Sequence, residues 1–230
     1  VSDQRPLYWD SPFFTLYENV SEDERNRLFG NFSLRYQQSE NLTFDGTIRT
    51  DTYDFVIEDR LGSGGLETDF YSMEKISLRE MNYEGRATYT KGFSAFNLRG
   101  VLGGNYMEKN TSNSYSATSG GLSLPGFYNL DASVDRPSVS TGTSRRAINS
   151  VFGQLALDYG GFLYSDFSLR NDVSSTLPEG NNSYTYYSLS NSLIFTELLS
   201  LPLVSFGKLR ASVAQVGSDT DPYSVALTYS

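Results

Sequence analysis

Apolar and polar residues alternate with a period of two through most of the chain, the spacing of a strand with one apolar face. From Leu28 to Gln37, Phe32, Leu34 and Tyr36 alternate with Asn31, Ser33, Arg35 and Gln37. From Leu42 to Phe55, Leu42, Phe44 and Ile48 alternate with Thr43, Asp45, Thr47 and Arg49. The same reading predicts strands at Tyr83–Thr90, Phe96–Tyr106, Val151–Tyr159, Phe162–Asp172, Tyr187–Thr196 and Lys208–Val216, with a ninth beginning near Val225.

The polar positions carry Arg35, Asp45, Arg49, Glu84, Arg86, Arg99, Asp158, Asp166, Arg170 and Arg210 in mid-strand, whereas the apolar positions carry no charge. Two architectures share this pattern. In a soluble sheet the apolar face meets a core; in a membrane barrel it meets lipid, where a charge near the midplane costs about 2–4 kcal/mol. The connections separate them. Gln38–Asn41, Lys91–Ser94 and Gly160–Gly161 are short, whereas Glu58–Asn82, Met107–Ser150 and Val173–Tyr186 are long. Soluble domains rarely carry structureless connections beyond about 12–15 residues. An outer-membrane barrel alternates short periplasmic turns with long extracellular loops. Tyr36, Tyr89, Phe93, Phe96, Tyr159, Phe162 and Tyr164 lie near the short turns, as an interfacial girdle requires. The connection Glu197–Phe206, "ELLSLPLVSF", departs from the rule, being long and apolar at a position where a short turn is due. It fits either an interfacial position or packing against a neighbouring turn.

Composition removes other classes. The net charge of -9 argues against nucleic acid, which needs a concentrated basic face. Without Cys or His there is no disulfide framework, no thiolate or imidazole metal site and no Ser–His or Cys–His dyad. Tyr, Phe and Gly number 17, 15 and 20, a β-rich balance of strand and turn formers. No apolar run reaches the roughly 18 residues of a membrane-spanning helix, and "VSDQRPLYWD" has no leader pattern.

Four segments, in order, carry a family likeness: "FTLYENVSEDERNRLFGNFSLRY" (Phe14–Tyr36), "LPGFYNLDAS" (Leu124–Ser133), "SVFGQLALDYGGFLYSDFSLRNDVSSTLPEGNNSY" (Ser150–Tyr184) and "FGKLRASVAQVGSDTDPY" (Phe206–Tyr223). Together they resemble the barrel of SusC/RagA-type TonB-dependent transporters of the Bacteroidetes outer membrane. Departures are local: Val173 stands where the family commonly has Trp, Tyr187 where it has Pro, Asn191 replaces a small residue, and Val213 replaces an aromatic. The resemblance implies an all-β, antiparallel transmembrane β-barrel segment of the bacterial outer membrane, with eight strands and part of a ninth. It implies a non-enzymatic, TonB-dependent importer of oligosaccharides or peptides, working with a SusD-like surface lipoprotein. Such barrels have about 22 strands. The family's plug domain and TonB-engaging segment have no counterpart in this sequence, so all 230 residues are expected to belong to one barrel domain. A self-contained small barrel with a structural or adhesive role, and a soluble β-sandwich binding module, are the competing architectures.

Candidate sites follow from this reading. Tyr115, Phe127 and Tyr128 fall in the long segment 107–150, where aromatic plates beside Asn and Asp suit the apolar faces of sugar rings or a lipoprotein partner. The same rings also serve a loop that packs on itself. Arg35, Arg49, Arg86, Arg99, Asp158, Asp166 and Arg170, with Asp45 and Glu84, are placed to face the lumen and a plug, or to neutralise one another between neighbouring strands. "GSDTDPY" (Gly217–Tyr223) groups Asp219 and Asp221 but lacks the spacing of an EF-hand and reads better as a solvated loop. "LGSGGLE" (Leu61–Glu67) lacks the Lys-Ser or Lys-Thr of a phosphate cradle. Asp158, Asp166 and Asp172 show no arrangement suited to glycoside hydrolysis, and no cofactor is expected.

Overall fold

The structure, a computed structural model, describes residues 9–199, 201–217, 219–222 and 224. After a short helix α1 (Pro12–Glu18) the chain forms eight strands: β1 (Val20–Gln37), β2 (Leu42–Leu61), β3 (Phe70–Phe93), β4 (Phe96–Leu122), β5 (Ser133–Tyr159), β6 (Leu163–Ser174), β7 (Ser183–Ile194) and β8 (Lys208–Ala214). All lie in a single antiparallel sheet in the order β1-β2-β3-β4-β5-β6-β7-β8, so sequence neighbours are sheet neighbours throughout. Each of the eight predicted strands is present. The ninth, near Val225, lies outside the described residues.

The expected short and long connections are found, but the long ones are shorter than predicted. Residues 38–41, 94–95 and 160–162 form the tight turns; residues 62–69, 123–132 and 175–182 form the longer connections. Most of the presumed loops 58–82 and 107–150 is strand, β4 and β5 running for 27 residues each. The reason is compositional. Residues 107–122 and 133–150 are rich in Ser, Thr and Asn, so the apolar alternation is silent there. The backbone ladder, which needs no apolar face, continues through them.

Gly160 and Gly161 have φ of 58° and 72°, left-handed conformations that favour glycine, in the three-residue loop between the partners Tyr159 and Leu163, and Phe162 N–H bonds Tyr159 O at 3.2 Å. In the loop 175–182, Gly180 (φ 93°) sits within a turn closed by Asn181 N–H to Pro178 O at 3.1 Å.

The chain divides into two compact units. The first comprises Val1–Phe29, Asp51–Arg79 and Asn110–Ser144; the second comprises Gly30–Thr50, Glu80–Lys109 and Arg145–Ser230. The first holds a small apolar cluster of Tyr71, Leu122 and Ala132, against which Met73, Tyr128 and Leu130 pack. Its polar ties are local: Tyr71 N–H donates to Thr118 Oγ1 at 3.0 Å and Leu122 N–H to Asp69 Oδ1 at 2.8 Å.

In the second unit the register sorts the side chains into rows. Leu155, Phe167, Leu189 and Val213 are direct partners across β5, β6, β7 and β8, as are Tyr159, Leu163, Leu193 and Leu209. Rows of the opposite parity are polar: Gln154, Ser168 and Ser188 in one, and Asp158, Tyr164, Ser192 and Arg210 in another. The apolar rows are not covered. Phe32, Leu34, Tyr36, Leu102, Val151, Phe167, Leu169 and Leu209 are all exposed. A β-sandwich would lay a second sheet on this face. All eight strands lie in one sheet, and the buried hydrophobic residues among those described are only Tyr71, Ala117, Leu122, Ala132 and Ile148. The soluble sandwich is therefore not the architecture.

The rows also correct the girdle. Tyr164 falls in the polar row opposite Asp158, with its hydroxyl donating to Gly161 O at 2.8 Å. Phe96, Tyr159 and Phe162 do form a cluster beside the 160–162 turn, their ring centroids 4.5 Å and 5.2 Å apart in successive pairs.

Candidate functional site

The polar face of the second unit is a set of linked charges. Strand period and antiparallel register put Arg35, Asp45 and Arg86 on neighbouring strands, and Asp45 accepts from both guanidiniums: Arg35 Nε at 2.6 Å and Arg86 Nε at 3.2 Å. Further along, Arg49 pairs with Glu84 at 3.0 Å. These links leave the arginines half-open while largely covering the carboxylates; Arg35 is 69% exposed against 11% for Asp45. Exposed pairs of this kind contribute little to stability, typically about 0–1 kcal/mol. Their effect is to fix where the charges point.

Arg170 lies deeper in a network. Its Nε donates to Asp172 Oδ1 at 2.8 Å, its Nη2 to Ser150 Oγ at 2.8 Å, and its guanidinium lies over the ring of Phe152, 5.8 Å from the centroid. The second oxygen of the buried Asp172 accepts from Tyr186 O–H at 2.6 Å. Asp158 accepts from Asn97 Nδ2 and from the Gly161 N–H, both at 3.0 Å, and so braces the β5–β6 turn. Arg99, Asp158 and Asp166 line a hollow of about 210 Å³ with Thr90, Asn97 and Tyr164. Arg99 and Asp166 are exposed there.

Asp219 has a different setting from either sequence expectation. Its side chain is 3% exposed and ion-paired with Arg146. Ser174 Oγ donates to it at 2.6 Å and Thr176 Oγ1 at 3.2 Å. It is thus a buried clasp that fastens the chain after β8 to the middle of β5 and the end of β6, not a solvated loop. No group of three or more candidate metal ligands occurs among the described residues. Sequence reasoning missed the clasp because Arg146, Ser174 and Asp219 belong to separate segments with no common spacing.

The candidate aromatic residues lie in the first unit, and the structure separates their roles. Tyr115 is on β4, not in a loop, and its ring is exposed. Phe127 is exposed at the tip of the 123–132 connection, which turns through a Phe127 N–H to Leu124 O bond of 3.1 Å. Tyr128, next to it, packs against the Tyr71–Leu122–Ala132 cluster with the Arg60 guanidinium 5.9 Å from its ring centroid. Burial, with Glu18 and Asp69 nearby, pushes its phenol above the usual range. Tyr71 is pushed up likewise by burial and by Glu58. Of the three candidates, Tyr115 and Phe127 present open rings, while Tyr128 holds the loop in place. The first turn of the short 3₁₀ segment Leu130–Ala132 is capped by Asn129 Oδ1, which accepts from Asp131 N–H at 2.9 Å.

No family model and no curated protein matches the sequence. Solved structures do match in fold. The chain is similar to a chain of the RagAB peptide transporter, with a TM-score of 0.76 and 17% identity over 87% of this chain. It is similar also to the RagAB peptide importer in its "closed-closed" state, with a TM-score of 0.74 at 17% identity, and in its "open-open" state, with 0.73 at 16%. In each case it spans 23% of the length of the matched chain. At this identity the likeness is one of fold: the eight-stranded sheet is built as a stretch of a peptide transporter's chain is built.

Proposed function

We propose that this chain forms part of the wall of an outer-membrane β-barrel that imports oligosaccharides or peptides. The observation that carries the reading is the uncovered apolar face of the second unit, with rows such as Leu155, Phe167, Leu189 and Val213 opposed to charged and hydroxylated rows on the other face. Lipid is the partner that stabilises such a face, and a wet lumen the partner of the charges.

The dimensions agree. From Phe96 to Tyr106 a strand advances about 33 Å, which at the tilt of a barrel strand is about 25 Å of height, the depth of a membrane barrel's apolar band. Aromatic residues bound the band. Phe96, Tyr159 and Phe162 stand at one end, and Tyr83 and Tyr106, with stacked rings 6.2 Å apart, at the other. Beyond Tyr106 charge reappears, Glu108 accepting from the Tyr106 hydroxyl at 3.0 Å and pairing with Arg145 at 3.1 Å.

In the described sheet β1 and β8 each have a single neighbour. An unpaired edge is not tolerated in lipid, so further strands complete the barrel. This favours a large importer over a small barrel closed by these eight strands. On this reading TonB energises transport through a plug, the polar face (Arg35, Arg49, Arg86, Arg99, Asp158, Asp166 and Arg170) faces that plug or the substrate path, and a SusD-like lipoprotein delivers the substrate at the end bearing Tyr115 and Phe127. Peptides gain support over oligosaccharides from the fold neighbours, which are peptide importers.

Fractionation of the native source tests this. The protein should be recovered in detergent-solubilised outer membrane together with a surface lipoprotein, and its deletion should abolish growth on peptides or on oligosaccharides as the sole source. A folded monomer in plain buffer would overturn the assignment.

A further inference from the structure

The connection 195–207 between β7 and β8 is absorbed by none of the roles above. Between Glu197 and Lys208 the chain has no charge, and Ser200 and Ser205 are its only polar side chains. Leu198, Leu199, Leu201, Leu203, Val204 and Phe206 are all exposed, Leu203 at 99%. Six large apolar side chains on this uncharged stretch form a patch that water does not stabilise.

The base of the loop is built firmly. Phe195 N–H donates to Gly207 O at 3.1 Å and Gly207 N–H to Thr196 Oγ1 at 3.1 Å. The outer edge of the Phe195 ring fills the space a side chain on Gly207 would need. The loop also bonds part of its own backbone internally. Leu198 and Leu199 N–H both bond to Phe195 O, at 3.1 Å and 2.9 Å, and Val204 N–H to Leu201 O at 3.2 Å; Pro202 has no N–H to satisfy. Each backbone group bonded internally lowers the cost of resting against an apolar medium, and at the interface the remainder meet water and headgroups. Its position points to the same medium. Ile194 N–H bonds to Phe162 O at 2.8 Å, so the loop leaves the sheet beside the Phe96–Tyr159–Phe162 aromatic cluster, at the border of the apolar band.

We propose that the 195–207 loop is an interfacial membrane anchor, whose leucines and Phe206 insert into the lipid boundary at the short-turn end of the wall. The inference rests on the reading that the wall faces lipid. Lipid is assigned as the occupant over a soluble partner protein because the apolar stretch 198–207 leaves the sheet at the border of the apolar band and offers little of the polar rim that surrounds a protein interface, Glu197 at its base being its nearest charge on that side. The loop would fix the depth of the barrel at this point as interfacial aromatics do, by adding apolar contact on the bilayer rather than spanning it.

Tryptophan quenching by brominated lipid tests the proposal in the intact protein, reconstituted with whatever further chain completes its barrel. Trp9 is the one tryptophan of these 230 residues, so the background variant is Trp9→Phe, with any tryptophan elsewhere in the protein also replaced. Leu203→Trp and, separately, Phe206→Trp report on the loop; Leu155→Trp reports on the wall. Lipids brominated near the glycerol end of the acyl chain should quench the loop reporters about twofold more than lipids brominated near the methyl end, as an interfacial depth requires. Leu155→Trp should be quenched by lipid at greater depth. If the wall reporter is quenched and neither loop reporter is, the anchor is overturned while the barrel reading stands. Loop reporters quenched most by the deep bromines would place the loop inside the hydrocarbon and overturn an interfacial position. If the wall reporter is not quenched, the barrel reading and the anchor fall together.

Discussion

Ser165 and Asn191 face each other across β6 and β7 on the apolar side of the sheet, and Ser165 Oγ donates to Asn191 Oδ1 at 2.6 Å. They occupy a row with Leu157 and Ala211, between the rows of Phe167–Leu189 and Leu163–Leu193. Two polar groups in an otherwise apolar surface satisfy each other. Asn191 thus belongs to the register and does not mark a slip in it.

A double-mutant cycle at this pair separates desolvation from bonding. Ser165→Ala leaves the Asn191 amide short of a partner on an apolar face and should cost about 1–2 kcal/mol. Ser165→Ala combined with Asn191→Leu removes both polar groups and should recover most of that loss. Unfolding by denaturant of the reconstituted protein reads both values; an equal loss in the single and double variants would sink the account.

Gly121 provides a second check, in the first unit. It has φ of 93°, and a Cβ there would stand 2.8 Å from Asp69 Oδ1 and 2.9 Å from Thr68 Cγ2. Gly121→Ala therefore combines backbone strain with a clash and should cost about 1–3 kcal/mol. Gly126 has φ of 77° but open space around it, so Gly126→Ala carries the backbone strain without the clash and should cost less than Gly121→Ala, about 1–2 kcal/mol. Protease sensitivity of the 123–132 connection would rank the two variants.

The neighbouring aromatic residues should divide in the same way. Tyr128→Ala removes packing from the Tyr71–Leu122–Ala132 cluster and should open the 123–132 connection to protease. Phe127→Ala should leave the connection intact and, if this ring meets substrate or lipoprotein, weaken that binding by several-fold. An affinity measurement showing no change for Phe127→Ala would remove it from the candidate surface.

Alkaline pH should loosen the same cluster. Burial raises the phenol pKa of both Tyr71 and Tyr128 above 10.0, so the folded state holds their protons more tightly than the unfolded state does. The stability this contributes is complete below about pH 10 and is lost as the pH rises through the raised values. Hydrogen exchange in residues 123–132 should accelerate above about pH 10, and Tyr128→Phe should shift the onset upward. Acceleration beginning near neutral pH would point to other groups.

Topology can be read on intact cells. A protease site inserted at Gly126 should be cut from outside, and one at Gly160-Gly161 should be protected. The reverse pattern would invert the assignment of long connections to the cell surface.

All eight strands were legible in the sequence, because alternation registers wherever one face is apolar, as in Leu155, Leu157 and Tyr159 or in Phe32, Leu34 and Tyr36. The tight turn was legible too, since two adjacent glycines between such strands leave few alternatives. The strand extensions were not. Around Tyr115 and from Ser133 to Ser150 both faces are polar, so the pattern vanishes although the ladder persists, and a site expected in a loop lies on a strand. Residues 30–37, 42–50, 83–90, 96–106, 151–159 and 163–172 thus declared their secondary structure and their two faces through alternation alone, because a sheet side chain's face depends only on its parity. Which charges meet was decided by register: Asp45 holds Arg35 and Arg86 because three separate segments align at that level. The same holds for the Asp219 clasp on Arg146 and Ser174. Contacts between distant segments leave no local signal, since their energy arises only once the backbone ladder has set one strand beside another.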